Sequence, residues 1–192
     1  NRLLATGSES HPPKIWDASS GRLLHSLSRP GILQDLAFVA GGEQLITTTH
    51  RSGWIRWWDT KTGKYVGRIG EDFADTQLLL DVPPDGGLAV SGRRNNLVVL
   101  RDGSSLEVLK EYRGLKGPVM DVALSPDGTW FVAGSRSGAC VWEVGDLRGP
   151  TELFAGHTGS VNTVAFSSDG RWLATTGADH TARVWDAMTG SE

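Results

Sequence analysis

The chain has 192 residues, 39% of them hydrophobic and 21% charged, with a formal net charge of −3. That length and balance describe a globular chain able to bury a sizeable core, and the slight acidity excludes general nucleic-acid binding, which calls for a basic surface. A single cysteine, Cys140, rules out an intrachain disulfide framework and suits a reducing, cytoplasmic setting. No apolar run approaches the roughly 18 residues of a membrane helix, so no membrane association is expected.

Taken in chain order, the first pattern is "RLLATGS" at residues 2–8, an alternating strand signal, and the next strand pattern ends at Trp16-Asp17. The same ending recurs at Trp58-Asp59, Trp142-Glu143 and Trp185-Asp186. The first step is 42 residues, the second is 84 with its midpoint at Leu100 in "LVVLRDG", and the last is 43. A second ruler agrees: "PPDG" (83–86), "SPDG" (125–128) and "SSDG" (167–170) are spaced by 42, with "VAGG" (39–42) a degenerate earlier copy. Two registers with one period define an internal repeat.

Each unit reads as four short strands. In the last one, Val161, Val164 and Phe166 begin the first strand, "SSDG" turns it, "RWLATTG" forms the second, and "TARVWD" the third. Earlier copies add a further strand, as in "KYVGRIG" and "SLEVLKEY". Alternating β-branched and aromatic residues broken by Asp-Gly and Thr-Gly turns are strand-and-hairpin signals, and no stretch has the period and caps of a helix. Cys140 falls in the third strand of its unit, where a buried, inert thiol is expected.

With Gly156-His157, "SSDG", "LATTGAD" and Trp185-Asp186 at these distances, the chain resembles the WD-repeat family of β-propellers over essentially all of its length. The resemblance implies an all-β fold of four-stranded antiparallel blades. The approximate blades are 1–29, 30–71, 72–113, 114–155 and 156–192, the first and last incomplete. At about 4.6 repeats against the roughly seven blades of a closed propeller, the chain is expected to be an internal piece of a longer array, with further blades of the same parent chain as neighbours. Carried over residue by residue, the resemblance implies a structural hydrogen-bond network in the last blade. Asp179 accepts from His157, whose other ring nitrogen bonds Thr175, whose hydroxyl meets the Trp185 indole. The same residue types are those of a nucleophilic triad, which would instead need an accessible hydroxyl and an oxyanion hole. Ser10, Ser52, Arg94 and Ser137 align with Asp179, so the network is expected to be incomplete in the other blades.

No phosphate loop and no metal-ligand spacing among the five histidines appear, so no catalytic residue, cofactor or metal is expected. The resemblance implies a scaffold or sensor that binds a protein or peptide on a propeller face. Aligned just before the turn aspartate are Glu9, Arg51, Arg93, Arg136 and Ala178, and Arg94 adds a further charge. Arg51, Arg93, Arg94 and Arg136 are therefore the candidate partner-binding residues, suited to an acidic or phosphorylated peptide because a guanidinium holds such groups bidentately. The plain alternative is solvated turn side chains. Two other functions fit the class less well: a propeller enzyme with its site at the channel mouth, and a purely structural assembly propeller.

Overall fold

The structure, a computed structural model, describes residues 2–28, 31–49, 54–69, 78–82, 87–93, 95–145 and 156–192. Arg51, Ser52, Arg94, the 83–86 turn and the expected fourth strand of the fourth unit lie outside the described residues. The described chain divides into two compact units, one within residues 1–78 and one within 79–192.

The first unit holds two sheets. In one, β1 (Leu3–Thr6), β2 (Lys14–Asp17) and β3 (Leu23–Ser26) pair in chain order; in the other, β4 (Leu33–Val39), β5 (Gln44–Thr49), β6 (Ile55–Asp59) and β7 (Tyr65–Ile69) do the same. The second unit holds three. They are β8 (Leu78–Asp81) with β9 (Leu88–Arg93), β10 (Leu97–Asp102) and β11 (Val108–Tyr112); β12 (Val119–Leu124) with β13 (Trp130–Ser135) and β14 (Gly138–Glu143); and β15 (Val161–Phe166) with β16 (Trp172–Gly177) and β17 (Ala182–Asp186). Every pairing is antiparallel between consecutive strands. The chain is all-β, and its sheets are propeller blades. "VAGG" closes its hairpin as a three-residue 3-10 turn, Ala40–Gly42.

Cores form between blades as well as within them. Ala123, Val132, Ala139 and Val141 of the fourth blade pack on Val161, Val164, Leu173 and Trp185 of the fifth. A second cluster joins Val90, Val98 and Leu100 of the third blade to Val119, Val122, Phe131 and Trp142 of the fourth. In the first unit, Ile15 and Leu27 meet Leu45 and Trp58. Strands sandwiched on both sides, such as β13, are buried almost throughout. β16 alternates, with Leu173 and Thr175 inside and Ala174 and Thr176 exposed.

The joints within each unit depend on a glycine at one register position. A Cβ added to Gly92 would stand 2.4 Å from Val119 Cγ1, and one on Gly134 would stand 3.0 Å from the Val161 carbonyl oxygen. The glycine thus admits the next blade's first strand. In the first unit Gly7 stands in the same way against Leu33. A carboxylate completes each joint of the second unit: Asp81 accepts from the Leu124 N–H at 2.8 Å, and Asp121 from the Val164 N–H at 2.9 Å. Burial raises both carboxyl pKa values, against the opposing pull of those N–H donors.

Register corrects one expectation. Leu45 faces Trp58, Phe131 faces Trp142 and Leu173 faces Trp185. The equivalent of these tryptophans in the third blade is Arg101, opposite Ala89, and not Leu100. The uniform 42-residue step is therefore uneven, because connections between the strands differ by a residue from blade to blade.

Gly92→Ala is expected to force Val119 and Val122 aside and to cost about 1–3 kcal/mol by overpacking. Chemical denaturation measures it, with Gly67→Ala, where an added Cβ meets nothing within 4 Å, as the control that should change little.

Candidate functional site

The fifth blade carries the fullest side-chain network. The Trp185 indole N–H donates to Thr175 Oγ1 at 2.9 Å, and that hydroxyl donates to His157 Nε2 at 2.8 Å. The chain of donors fixes the imidazole with its proton on Nδ1, which donates to Asp179 at 2.9 Å. Asp179 also accepts from the Thr158 and Thr181 backbone N–H groups and from the Thr181 hydroxyl. Burial works to raise its carboxyl pKa, but the Thr181 hydroxyl, His157 and the two N–H groups outweigh it and hold the group well below the usual range. Gly177 makes room, since a Cβ there would lie 2.5 Å from His157 Nδ1.

The set has the residue types of a nucleophilic triad without its access. Thr175 is 1% exposed and the His157 side chain also 1%, so no substrate carbonyl could approach the hydroxyl. Both of its hydrogen-bonding roles are spent on the fold. The arrangement ties the loop before β15 to β16 and β17.

The first and second blades keep the tryptophan-to-hydroxyl bond. Trp16 donates to Thr6 at 2.8 Å and Trp58 to Thr47 at 3.0 Å. In the third blade Arg101 takes the tryptophan's place: its Nε donates to Ser91 Oγ at 2.9 Å and its Nη1 to the Leu106 carbonyl at 2.8 Å. Burial, reinforced by nearby Arg93 and opposed by Glu111, pulls the Arg101 pKa down to about 10, so it stays charged at neutral pH. The fourth blade has Ala133 where the others have a hydroxyl, and among the described residues the buried Trp142 indole N–H has no partner. The aspartate after the brace closes the next turn: Asp17 accepts from Ser19 and Ser20, Asp102 from Ser104 and Ser105, and Asp186 from Met188 and Thr189.

The candidate arginines do not share one register. Arg136 is exposed and follows the last residue of β13, equivalent to Ala178 after β16. Arg93 is itself the last residue of β9, paired with Leu97, and stands at the position of Ser135 and Gly177. The alignment of Arg93 with Arg136 is thus displaced by one residue, again through the uneven loop lengths. Both still lie at the same end of neighbouring blades. At that end a Cβ on Gly117 would be 3.3 Å from Arg136 Cβ, which brings exposed Lys116 into the same neighbourhood.

Residues 106–143 and 149–186 match the family model "WD domain, G-beta repeat". Residues 106–143 and 149–186 are thus two WD repeats, and WD-repeat proteins generally serve as interaction scaffolds. It is 35% identical over 71 residues to human apoptotic protease-activating factor 1, a match covering 32% of this chain and 5% of that protein. It is 35% identical over 86 residues to eukaryotic translation initiation factor 3 subunit I of Bombyx mori, covering 43% of this chain and 25% of the relative. WD repeat and SOCS box-containing protein 1 of Xenopus tropicalis matches at 28% over 101 residues, 52% of this chain and 24% of the relative. The matches thus span a quarter or less of these relatives. Among the described residues no helix is long and apolar enough to cross a membrane.

Two opposite changes test the brace. Thr175→Val removes the hydroxyl that accepts from the Trp185 N–H and donates to His157 Nε2 and is expected to cost about 2 kcal/mol, whereas Ala133→Ser offers the Trp142 N–H an acceptor and is expected to gain about 1 kcal/mol. Denaturant midpoints of the two variants read both signs.

Proposed function

We propose that the chain is a non-catalytic, cytoplasmic protein-interaction module that takes an acidic or phosphorylated peptide at the basic end of its third and fourth blades. The observation that carries this reading is the grouping of Arg93, Lys116 and Arg136 at one end of two adjacent blades, where the strands before and after them are fixed by the core. Cationic side chains held at strand ends and turns bind carboxylate or phosphate with little ordering cost. Arg51 and Arg94 belong to the same reading by their place in the repeat. The polar groups that could do chemistry in the fifth blade are committed to the fold, so no cofactor or metal enters the reading.

The fifth blade supports a second part of it. Ala165, Ala174, Ala182 and Val184 are exposed. They occupy the positions of Ala123, Val132, Ala139 and Val141, which the fifth blade buries on the fourth. A further WD blade, rather than a peptide, is what such a flat apolar face fits.

A phosphoserine tripeptide and its unphosphorylated counterpart, titrated by calorimetry, test the ligand reading. Binding is expected only for the phosphorylated form and to weaken as salt rises past the point where screening acts over about 8 Å. Replacing Arg51, Arg93, Arg94 and Arg136 together by alanine is expected to abolish it with the melting temperature little changed. Equal binding by that variant would leave these arginines as solvated turn residues.

A further inference from the structure

At the other end of β13 from Arg136, a cleft of about 610 Å³ opens between the fourth and fifth blades. Its apolar lining comes from Trp130, Phe166 and Met188, and its acidic lining from Asp127, Asp169 and Asp186. Trp130 is 40% exposed and Met188 is 91% exposed, so the apolar wall is open to a ligand. The size lies within the range of small-ligand and side-chain pockets.

The three carboxylates share a feature that matters for recognition. Each sits on a turn, and each receives its turn bonds on one oxygen. Asp127 Oδ1 accepts from Ser125 and Thr129, Asp169 Oδ1 from Ser167 and Arg171, and Asp186 Oδ1 from Met188 and Thr189. Among the described residues the second oxygen of each has no bond. The same turn bonds hold all three carboxyl groups below their ordinary range, hydroxyl donors leading for Asp127 and Asp169 and the Thr189 N–H for Asp186. They are ionised at neutral pH. Arg171 also lines the cleft, with its guanidinium 5.4 Å from the Trp172 ring centre. One guanidinium against three carboxylates leaves the lining net negative.

We infer that this cleft is a second binding site, one that takes an arginine side chain of a partner peptide, its guanidinium against the free carboxylate oxygens and its stem along Trp130 and Phe166. Aromatic face and carboxylate together select a planar cation over a neutral group, since stacking and charge-assisted bonds act on the same atom set. The equivalent of Trp130 in the third blade is Leu88, whose Cδ1 would stand 3.7 Å from a Cβ added to Gly128, so the aromatic wall belongs to this cleft rather than to every joint. The site is independent of the basic end: its ligand has the opposite charge.

The test uses the whole chain and three blocked tripeptides, Gly-Arg-Gly, Gly-citrulline-Gly and Gly-Glu-Gly, followed by the backbone N–H resonances of Gly170 and Met188, which line the cleft. The arginine peptide is expected to give a saturable shift that weakens several-fold as salt screens the attraction, with no saturation for the other two. Asp127→Asn, Asp169→Asn and Asp186→Asn combined keep a side-chain oxygen for each turn while removing the charge, and are expected to weaken binding by about tenfold or more. Trp130→Leu, which copies the third blade, is expected to weaken it without touching the turns and serves if the triple variant fails to fold. Arg136→Ala should leave it unchanged, which separates this site from the basic end. Equal shifts from the citrulline peptide, no saturation by the arginine peptide, or unchanged binding in both variants would overturn the assignment.

Discussion

On the third strand of four of the five blades an N–H donates to a hydroxyl of the second strand, and in the fourth, where Ala133 stands in the hydroxyl's place, the Trp142 N–H has no such acceptor. Trp16–Thr6, Trp58–Thr47, Arg101–Ser91 and Trp185–Thr175 are four versions of this bond. A one-residue slip of either strand would turn the hydroxyl to the opposite face and strand the donor, so the bond fixes register as well as contributing stability. Register in turn places the glycine that the next blade's first strand requires, and the aspartate that closes the following turn. The third blade shows that the requirement is for a long, flat donor rather than for an indole. Arg101 meets it at the cost of burying a charge, which its bonds to Ser91 and the Leu106 carbonyl offset.

Because the brace uses polar groups inside each blade, the residues left for recognition are at the blade ends. His157, Thr175 and Asp179 look chemical in the sequence, yet each is saturated by its neighbours. The two ends of the second unit then differ in sign, Arg93, Lys116 and Arg136 at one and Asp127, Asp169 and Asp186 at the other.

The strands, the repeat and the fifth-blade network were legible in the sequence because each rests on local spacing: a turn every half unit, and a tryptophan at a fixed distance from a hydroxyl. What spacing could not show was substitution by an unlike residue. Leu100 looked like the missing tryptophan since it is apolar and lies at the midpoint, but a loop one residue longer moves that place to Arg101. The signal was present in "RDGSS", where Arg-Asp precedes a Ser-rich turn as Trp-Asp precedes "ASSG". The same variation displaced Arg93 from Arg136. The cleft beside Trp130 was not legible, because it forms only where two turns 42 residues apart come together across a blade joint.

Arg101 and Ser91 form a brace equivalent to tryptophan and threonine in the first, second and fifth blades. A double-mutant cycle with Arg101→Met, Ser91→Ala and the pair, followed by chemical denaturation, measures it most directly. A coupling energy of about 1–2 kcal/mol is expected, as for a hydrogen bond with one charged partner. Additive losses, with coupling indistinguishable from zero, would contradict it and leave Arg101 as a cation that is merely buried.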